Sequence, residues 1–157
     1  MRRAYSIHEM KEYLKLRAEI PDDAASVLQR LKEQNYIDDA RYARDYARAH
    51  AQGRRQGKFR IARELRVRGV PDKHIDAALA AVFAETDESA LVGERLERKL
   101  RQLRGPLDER KRASIYRSLL RAGFPADAIR AELRAATKPG IPEHDDDNAS
   151  APSGDDI

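Results

Sequence analysis

Two stretches of this chain, 54 residues apart, share one pattern: residues 60–79 (RIARELRVRGVPDKHIDAAL) and residues 114–133 (SIYRSLLRAGFPADAIRAEL). Ile61 aligns with Ile115, Leu65 with Leu119, Gly69 with Gly123, Val70 with Phe124, Pro71 with Pro125, Ile75 with Ile129 and Leu79 with Leu133. Each shared position has a physical meaning. An Ile and a Leu four residues apart make the apolar stripe of a short helix. Glycine lets the chain leave that helix through the left-handed region. The apolar residue after it packs back onto the helix, and proline opens the next one, where its missing N–H is not needed. The period therefore predicts helix–turn–helix units in tandem.

A looser first copy runs through residues 10–14 (MKEYL) and 20–31 (IPDDAASVLQRL), with a turn one or two residues longer and no glycine. Strict period-2 alternation is absent, and apolar residues recur at helical spacing almost throughout. The reading is all-α, with about eight helices. The first spans about residues 7–17, opened by a Ser6/Glu9 capping box. The second follows Pro21 and ends at Asn35, with Ala24, Val27, Leu28 and Leu31 inward. The third starts at Asp38 or Asp39, both good caps, and turns Ala43, Tyr46, Ala47 and His50 to one side. Of five more, one covers about 58–68, one opens at Pro71 with Ile75, Ala78, Leu79 and Val82 as its stripe, and the others cover about 87–103, 108–121 and 125–136. The expected division is a three-helix repeat over 1–53, a second over 54–104, a two-helix repeat over 105–137 and a disordered acidic tail over 138–157. Units this small must stack on their neighbours, which gives an elongated or bent array.

Composition narrows the function. The 157 residues include no cysteine, which excludes disulfides, thiolate metal sites and cysteine nucleophiles and makes an intracellular address the default. Mean hydropathy is −0.79, and no apolar run approaches 20 residues, so no membrane span is expected. The first ten residues lack the apolar core of a signal peptide. A cytoplasmic protein is the expectation. Net charge is +4, but it is unevenly spread: residues 139–157 hold six of the 27 acids and none of the 31 basic residues, leaving +10 on residues 1–138. Of the basic residues 23 are Arg, the side chain whose planar fork grips phosphates in pairs of hydrogen bonds.

No catalytic constellation appears. The four histidines stand in separate segments without metal-ligand spacing. Asp38-Asp39 reads as a helix cap. The segment 53–59 (GRRQGKF) has the wrong glycine spacing for a phosphate loop and no strand before it. A non-enzymatic protein without cofactor, metal or small-molecule substrate is expected. Positive charge concentrates instead in residues 41–68 and 95–121, with ten basic residues in each. Arg54, Arg55, Lys58, Arg60 and Arg63, with Arg95, Arg98 and Arg101 second, are the candidate contacts to a phosphate backbone. Tyr13, Tyr46, Phe83 and Phe124 read as core. Tyr42 and Phe59 are the better candidates for exposure, although core packing is favoured for them as well.

The stretch from Gln34 through Pro71 resembles the RecX family of bacterial regulators of the RecA recombinase. Tyr36, Asp38, Asp39, Arg41, Tyr42, Ala43, Gly57, Arg60, Ile61, Glu64, Leu65 and Gly69 occupy the places of the family pattern, and residues 120–124 (LRAGF) resemble its C-terminal turn around Gly123. Asn35 and Arg55 stand where the family usually has glycine, Ala122 where it often has arginine, and the first turn lacks its glycine at Ala18. The resemblance implies a non-enzymatic protein, expected as a monomer, that binds the RecA–single-stranded DNA filament and lowers filament extension, ATP hydrolysis and strand exchange. The alternative is a stand-alone helix-turn-helix reader of duplex DNA. That role needs base-reading residues at a helix start, and the helices after the two Gly-x-Pro turns begin Asp72-Lys73-His74 and Ala126-Asp127-Ala128.

Overall fold

The computed structural model describes residues 4–137, and the acidic tail expected over 138–157 lies outside them. The described residues form eight α-helices and no strand: α1 (Ile7–Lys15), α2 (Pro21–Glu33), α3 (Asp39–Arg48), α4 (Lys58–Val67), α5 (Asp72–Ala84), α6 (Glu88–Arg101), α7 (Glu109–Arg121) and α8 (Ala126–Thr137). One π-helical turn, Ala49–Gly53, extends α3.

The helix boundaries follow local chemistry. Ser6 Oγ accepts from Glu9 N–H while Glu9 accepts from Ser6 N–H, both at 3.1 Å, which completes the capping box. Helices α2, α4 and α7 end alike. Asn35, Gly69 and Gly123 take φ of 55°, 74° and 92°, and the next residue's N–H reaches back to Leu31, Leu65 or Leu119. This closure satisfies carbonyls the helix leaves open. Arg55 is the other non-glycine residue at positive φ, 51°. Both departures from the family's glycines are therefore left-handed positions, each adopted by an L-residue at a cost of roughly 1–2 kcal/mol, less for asparagine.

The two neighbouring aspartates have different tasks. Asp38 Oδ1 accepts from Ala40 N–H at 2.8 Å and Arg41 N–H at 3.2 Å, so it is the cap of α3. Asp39, buried, accepts instead from Ile7 N–H at 2.9 Å and ties the start of α1 to α3. The Arg41 N–H, helped by Ala40 N–H and against partial desolvation, holds the Asp38 carboxyl below the usual aspartate range. A depressed carboxyl stabilises the fold above its unfolded pKa and loses that contribution as pH falls through the folded value. Asp38→Ala is expected to cost about 1 kcal/mol at neutral pH. In urea titrations its difference from wild type should shrink once pH drops below about 4.

The buried residues form two cores. Ala43, Ala47, Ile61, Leu65, Ile75 and Val82 gather α3, α4 and α5 around one. Leu91, Val92, Leu96, Leu119, Phe124 and Ile129 gather α6, α7 and α8 around the other, and Phe83 packs against both. Helix α3 lies along α5, α6 along α8, and α1 along α2. The modules are thus α1–α2, α3–α5 and α6–α8. They are shifted in phase from divisions at residues 53 and 104, because an offset of 54 sets a period but not a starting point. The two-helix module comes first, not last.

This phase explains where apolar residues stay exposed. Ile20 stands in its module where Val70 and Phe124 stand in theirs. It is 57% exposed, against 4% and 1%, since no described helix covers α1–α2 as α3 and α6 cover their partners. Tyr13 and Val27, expected in the core, are exposed on the same module.

Successive modules join by a repeated contact. The residues that open α1 and α4 rest on the Gly-x-Pro turn of the following module. Ser6 Oγ donates to Arg68 O at 2.6 Å beside Gly69. At the equivalent place in the next module, Gly57 N–H donates to Ala122 O at 2.9 Å and Phe59 N–H to Gly123 O at 3.0 Å. The second contact has no spare room. A Cβ on Gly57 would stand 2.3 Å from the Gly123 carbonyl carbon, and one on Gly123 would stand 2.3 Å from Arg60 N.

Candidate nucleic-acid interface

The second junction brings the two candidate sets of basic residues together. Residues 54–57, which link the π turn to α4, are pinned from three sides. Arg95 on α6 donates from Nη1 to Arg55 O at 2.8 Å and Arg54 O at 3.4 Å. Gln56 is buried, donates its backbone N–H to His50 O at 3.1 Å and meets His50 Nδ1 at 2.8 Å through its side-chain oxygen. Gly57 is held by Ala122 O. A segment that glycines and polar residues mark as a flexible link in the sequence is a fixed strap in the fold.

Below the strap lies a polar network. Tyr46 stacks on His50 with ring centroids 3.8 Å apart and donates to Glu64 at 2.6 Å, and Glu64 also accepts from Arg60 Nε at 2.8 Å. Desolvation pushes the Glu64 carboxyl up, but the Tyr46 and Arg60 hydrogen bonds outweigh it and the net direction is down. Glu64 is therefore the fixed counter-charge of Arg60.

Carboxylates divide the eight candidate cations. Arg55 pairs with Glu94, Lys58 with Glu88 at 3.2 Å, and Arg60 with Glu64. Arg54, Arg63, Arg95, Arg98 and Arg101 have no carboxylate within ion-pair distance among the described residues. Eight cations against three acids leave five positive charges without a carboxylate partner among the described residues. Glu88 also reaches Lys58 N–H at 3.5 Å, so the N-terminus of α4 already faces a carboxylate and is not an open anion site. Burial, and then the like charges of Arg60 and Arg98, lower the Arg95 guanidinium from its usual value. Arg95 is tied to the strap through the Arg54 and Arg55 carbonyls, and Arg98 stands one helical turn further along α6. Arg101 continues the Arg98 flank of α6. Arg63 lies elsewhere, in a recess lined by Glu9, Glu64, Val67 and Arg68 on the side of α4 facing α1.

Aromatic placement corrects the sequence in part. Phe59 is 60% exposed within the basic strap region, where Lys58 Nζ lies 5.6 Å from its ring, while Tyr42 packs against the core. Tyr36, which periodicity did not mark, is 69% exposed at the mouth of an open hollow of about 820 Å³ between α1 and α3. Among the described residues no group of three His, Cys, Asp or Glu could hold a metal ion, and no helix is long and apolar enough to cross a membrane.

Comparison with known proteins agrees with this architecture. The family profile described as "RecX, second three-helix domain" matches residues 38–79, the span from the α3 cap into α5. A protein named Regulatory protein RecX from Chromobacterium violaceum is 35% identical over 132 residues, covering 84% of this chain and 82% of its own length. The chain belongs to the RecX family. A second RecX, from Halorhodospira halophila, is 36% identical over 136 residues, covering 86% of this chain and 81% of its own. The crystal structure of RecX from Lactobacillus salivarius superposes with a TM-score of 0.74 at 20% identity, covering 85% of this chain and 86% of that one. That likeness shows that the RecX fold, a tandem array of helical modules, is kept where sequence has diverged. The profile ends before α6, so the Arg95 and Arg98 half of the junction lies outside its match.

Proposed function

We propose that this protein is a non-enzymatic regulator that binds the RecA–single-stranded DNA filament and restrains filament extension, ATP hydrolysis and strand exchange. Family membership supplies the class. The observation that carries the reading is the junction of the second and third modules, where a pinned strap and α6 gather basic residues that three carboxylates only partly offset. Such a surface tracks a phosphate backbone and draws a polyanion in at long range. A tandem array also offers length. A helix of the size of α6 spans roughly 20 Å, so several modules reach across more than one subunit of a fibre.

The duplex-reading alternative is less well supported. Helix α5 opens on Asp72, which pairs with Arg66 at 2.7 Å, and an acid at a recognition helix start repels phosphate. The test is RecA ATPase on single-stranded DNA, titrated with wild type and with Arg54→Glu/Arg98→Glu. Wild type is expected to inhibit, and the variant to need at least ~10-fold more protein, the equivalent of about 1.4 kcal/mol. Equal inhibition by the two proteins would reject the junction as the contact. Absence of inhibition by wild type would reject the function.

A further inference from the structure

We propose that the groove between α7 and α8 is a docking site for a short run of carboxylates, and that its occupant is the acidic segment 143–147 of the same chain. The inference stands apart from the filament reading, because none of the groove's residues belongs to the strap or to α6.

The groove is built from one side of each helix. Arg112, Tyr116 and Arg117 fall on one side of α7, and Arg130 and Leu133 meet them from α8, enclosing a recess of about 440 Å³ with Glu109 also on its wall. Leu133 is buried and gives the recess an apolar floor, and the Tyr116 ring packs against the core of the third module. Arg130 donates from Nη2 to the Tyr116 hydroxyl at 3.5 Å. Arg112, Arg117 and Arg130 have no carboxylate within ion-pair distance among the described residues. Three guanidiniums against Glu109 leave the recess with two positive charges in excess.

The chemistry suits carboxylates, because each guanidinium fork takes a carboxylate through paired hydrogen bonds. A long nucleic-acid strand suits it less. The first turns of both helices carry an exposed acid, Glu109 and Asp127, and these repel a polyanion that continues past the recess.

The chain carries the matching ligand. Residues 139–157 hold six acids and no basic residue, and Glu143, Asp145, Asp146 and Asp147 fall together. The last described residue, Thr137, ends α8 just beyond Leu133. Arg130 stands roughly 10 Å back along the helix from it. The stretch from Thr137 to Glu143 reaches at most roughly 20 Å, so the acids can return to the recess. Pro139-Gly140 within that stretch is a turn dipeptide, which suits a reversal. Tethering holds the acids near their site at about millimolar concentration, so a few ion pairs of modest strength suffice at low salt. An acidic segment of a partner protein would have to displace the tail to reach the same recess.

The test uses the full chain. A fluorescein-labelled peptide of residues 138–157 is titrated by fluorescence anisotropy at low salt against wild type and against a neutral-tail protein (Glu143→Gln, Asp145→Asn, Asp146→Asn, Asp147→Asn). The neutral-tail protein is expected to bind the peptide at least ~10-fold more tightly, because the tethered competitor is gone. Adding Arg112→Ala, Arg117→Ala and Arg130→Ala to it is expected to abolish that gain. Adding Arg44→Ala, Arg48→Ala and Arg63→Ala instead, which removes equal charge from exposed positions elsewhere, is expected to keep it. Equal affinity of wild type and the neutral-tail protein would overturn the proposal. Equal losses from the two arginine sets would do the same, since charge would then act diffusely. If the groove changes weakened oligo-dT binding and left peptide binding intact, the groove would belong to nucleic acid and the proposal would fall. Thermal melts check folding, and Arg117→Ala alone, at an exposed position, repeats the test if the triple variant unfolds. No measurement involves RecA, so either reading can fail while the other stands.

Discussion

Replacing Gly123 by alanine is expected to destabilise the protein by about 3 kcal/mol and to lower its melting temperature by roughly 10 °C. Two costs combine. At φ 92° an L-residue is strained by roughly 1–2 kcal/mol. The new Cβ would also stand 2.3 Å from Arg60 N and 2.4 Å from Arg60 Cβ. The obstacle is the backbone of α4, so relief requires the helix to move. That motion would pull Phe59 N–H from Gly123 O and Gly57 N–H from Ala122 O, opening the junction on which the strap depends. Thermal unfolding followed by circular dichroism measures the effect. Gly53→Ala is the control, because nothing lies within 4 Å of its added Cβ, and a surface change of that kind stays within about 0.5 kcal/mol. Similar melting of the two variants would show that the modules do not interlock through this turn. Loss of the junction should also flatten the salt dependence of single-strand binding, so Gly123→Ala links the packing to the site.

The second large effect is at the neighbouring position. Phe124 is 1% exposed and packs among α6, α7 and α8. Phe124→Ala is expected to cost about 3–5 kcal/mol, from the burial forgone and the cavity left behind. The same place in the first module gives the opposite result. Ile20→Ala is expected to change stability by no more than about 0.5 kcal/mol, because Ile20 is largely exposed. Denaturant titration of the pair decides the matter. Equal destabilisation would mean that α1–α2 is covered in solution and that the modules are alike in packing as well as in pattern.

This contrast shows where reading the sequence stops being enough. Ile20-Pro21, Val70-Pro71 and Phe124-Pro125 look alike in the chain. Their burial differs because a third helix shelters two of them and not the first. The capping box at Ser6 and Glu9, the left-handed exits at Gly69 and Gly123, and the proline starts were all legible. Each is decided within about five residues by hydrogen bonding and backbone sterics. Asp39 was not, since the same carboxylate that could cap α3 bonds Ile7 across 32 residues. Phe59 was ambiguous for a similar reason. Its place at the start of α4 allows burial, but its own N–H is fixed on Gly123 O, and its ring is left outside.

The candidate site divides along the same line. Clusters of arginine were visible as clusters, but which of them carry free charge was not. Arg55, Lys58 and Arg60 are tied to Glu94, Glu88 and Glu64, and two of those acids come from α6, a helix distant in the chain. Local sequence determined eight helices, their caps and their repeat, because each depends on neighbours along the backbone. Only the tertiary structure decided the phase of the modules, the interlocked glycines and the set of unpaired guanidiniums. Those depend on which surfaces meet after the helices have formed, and a period in the sequence specifies spacing without specifying partners.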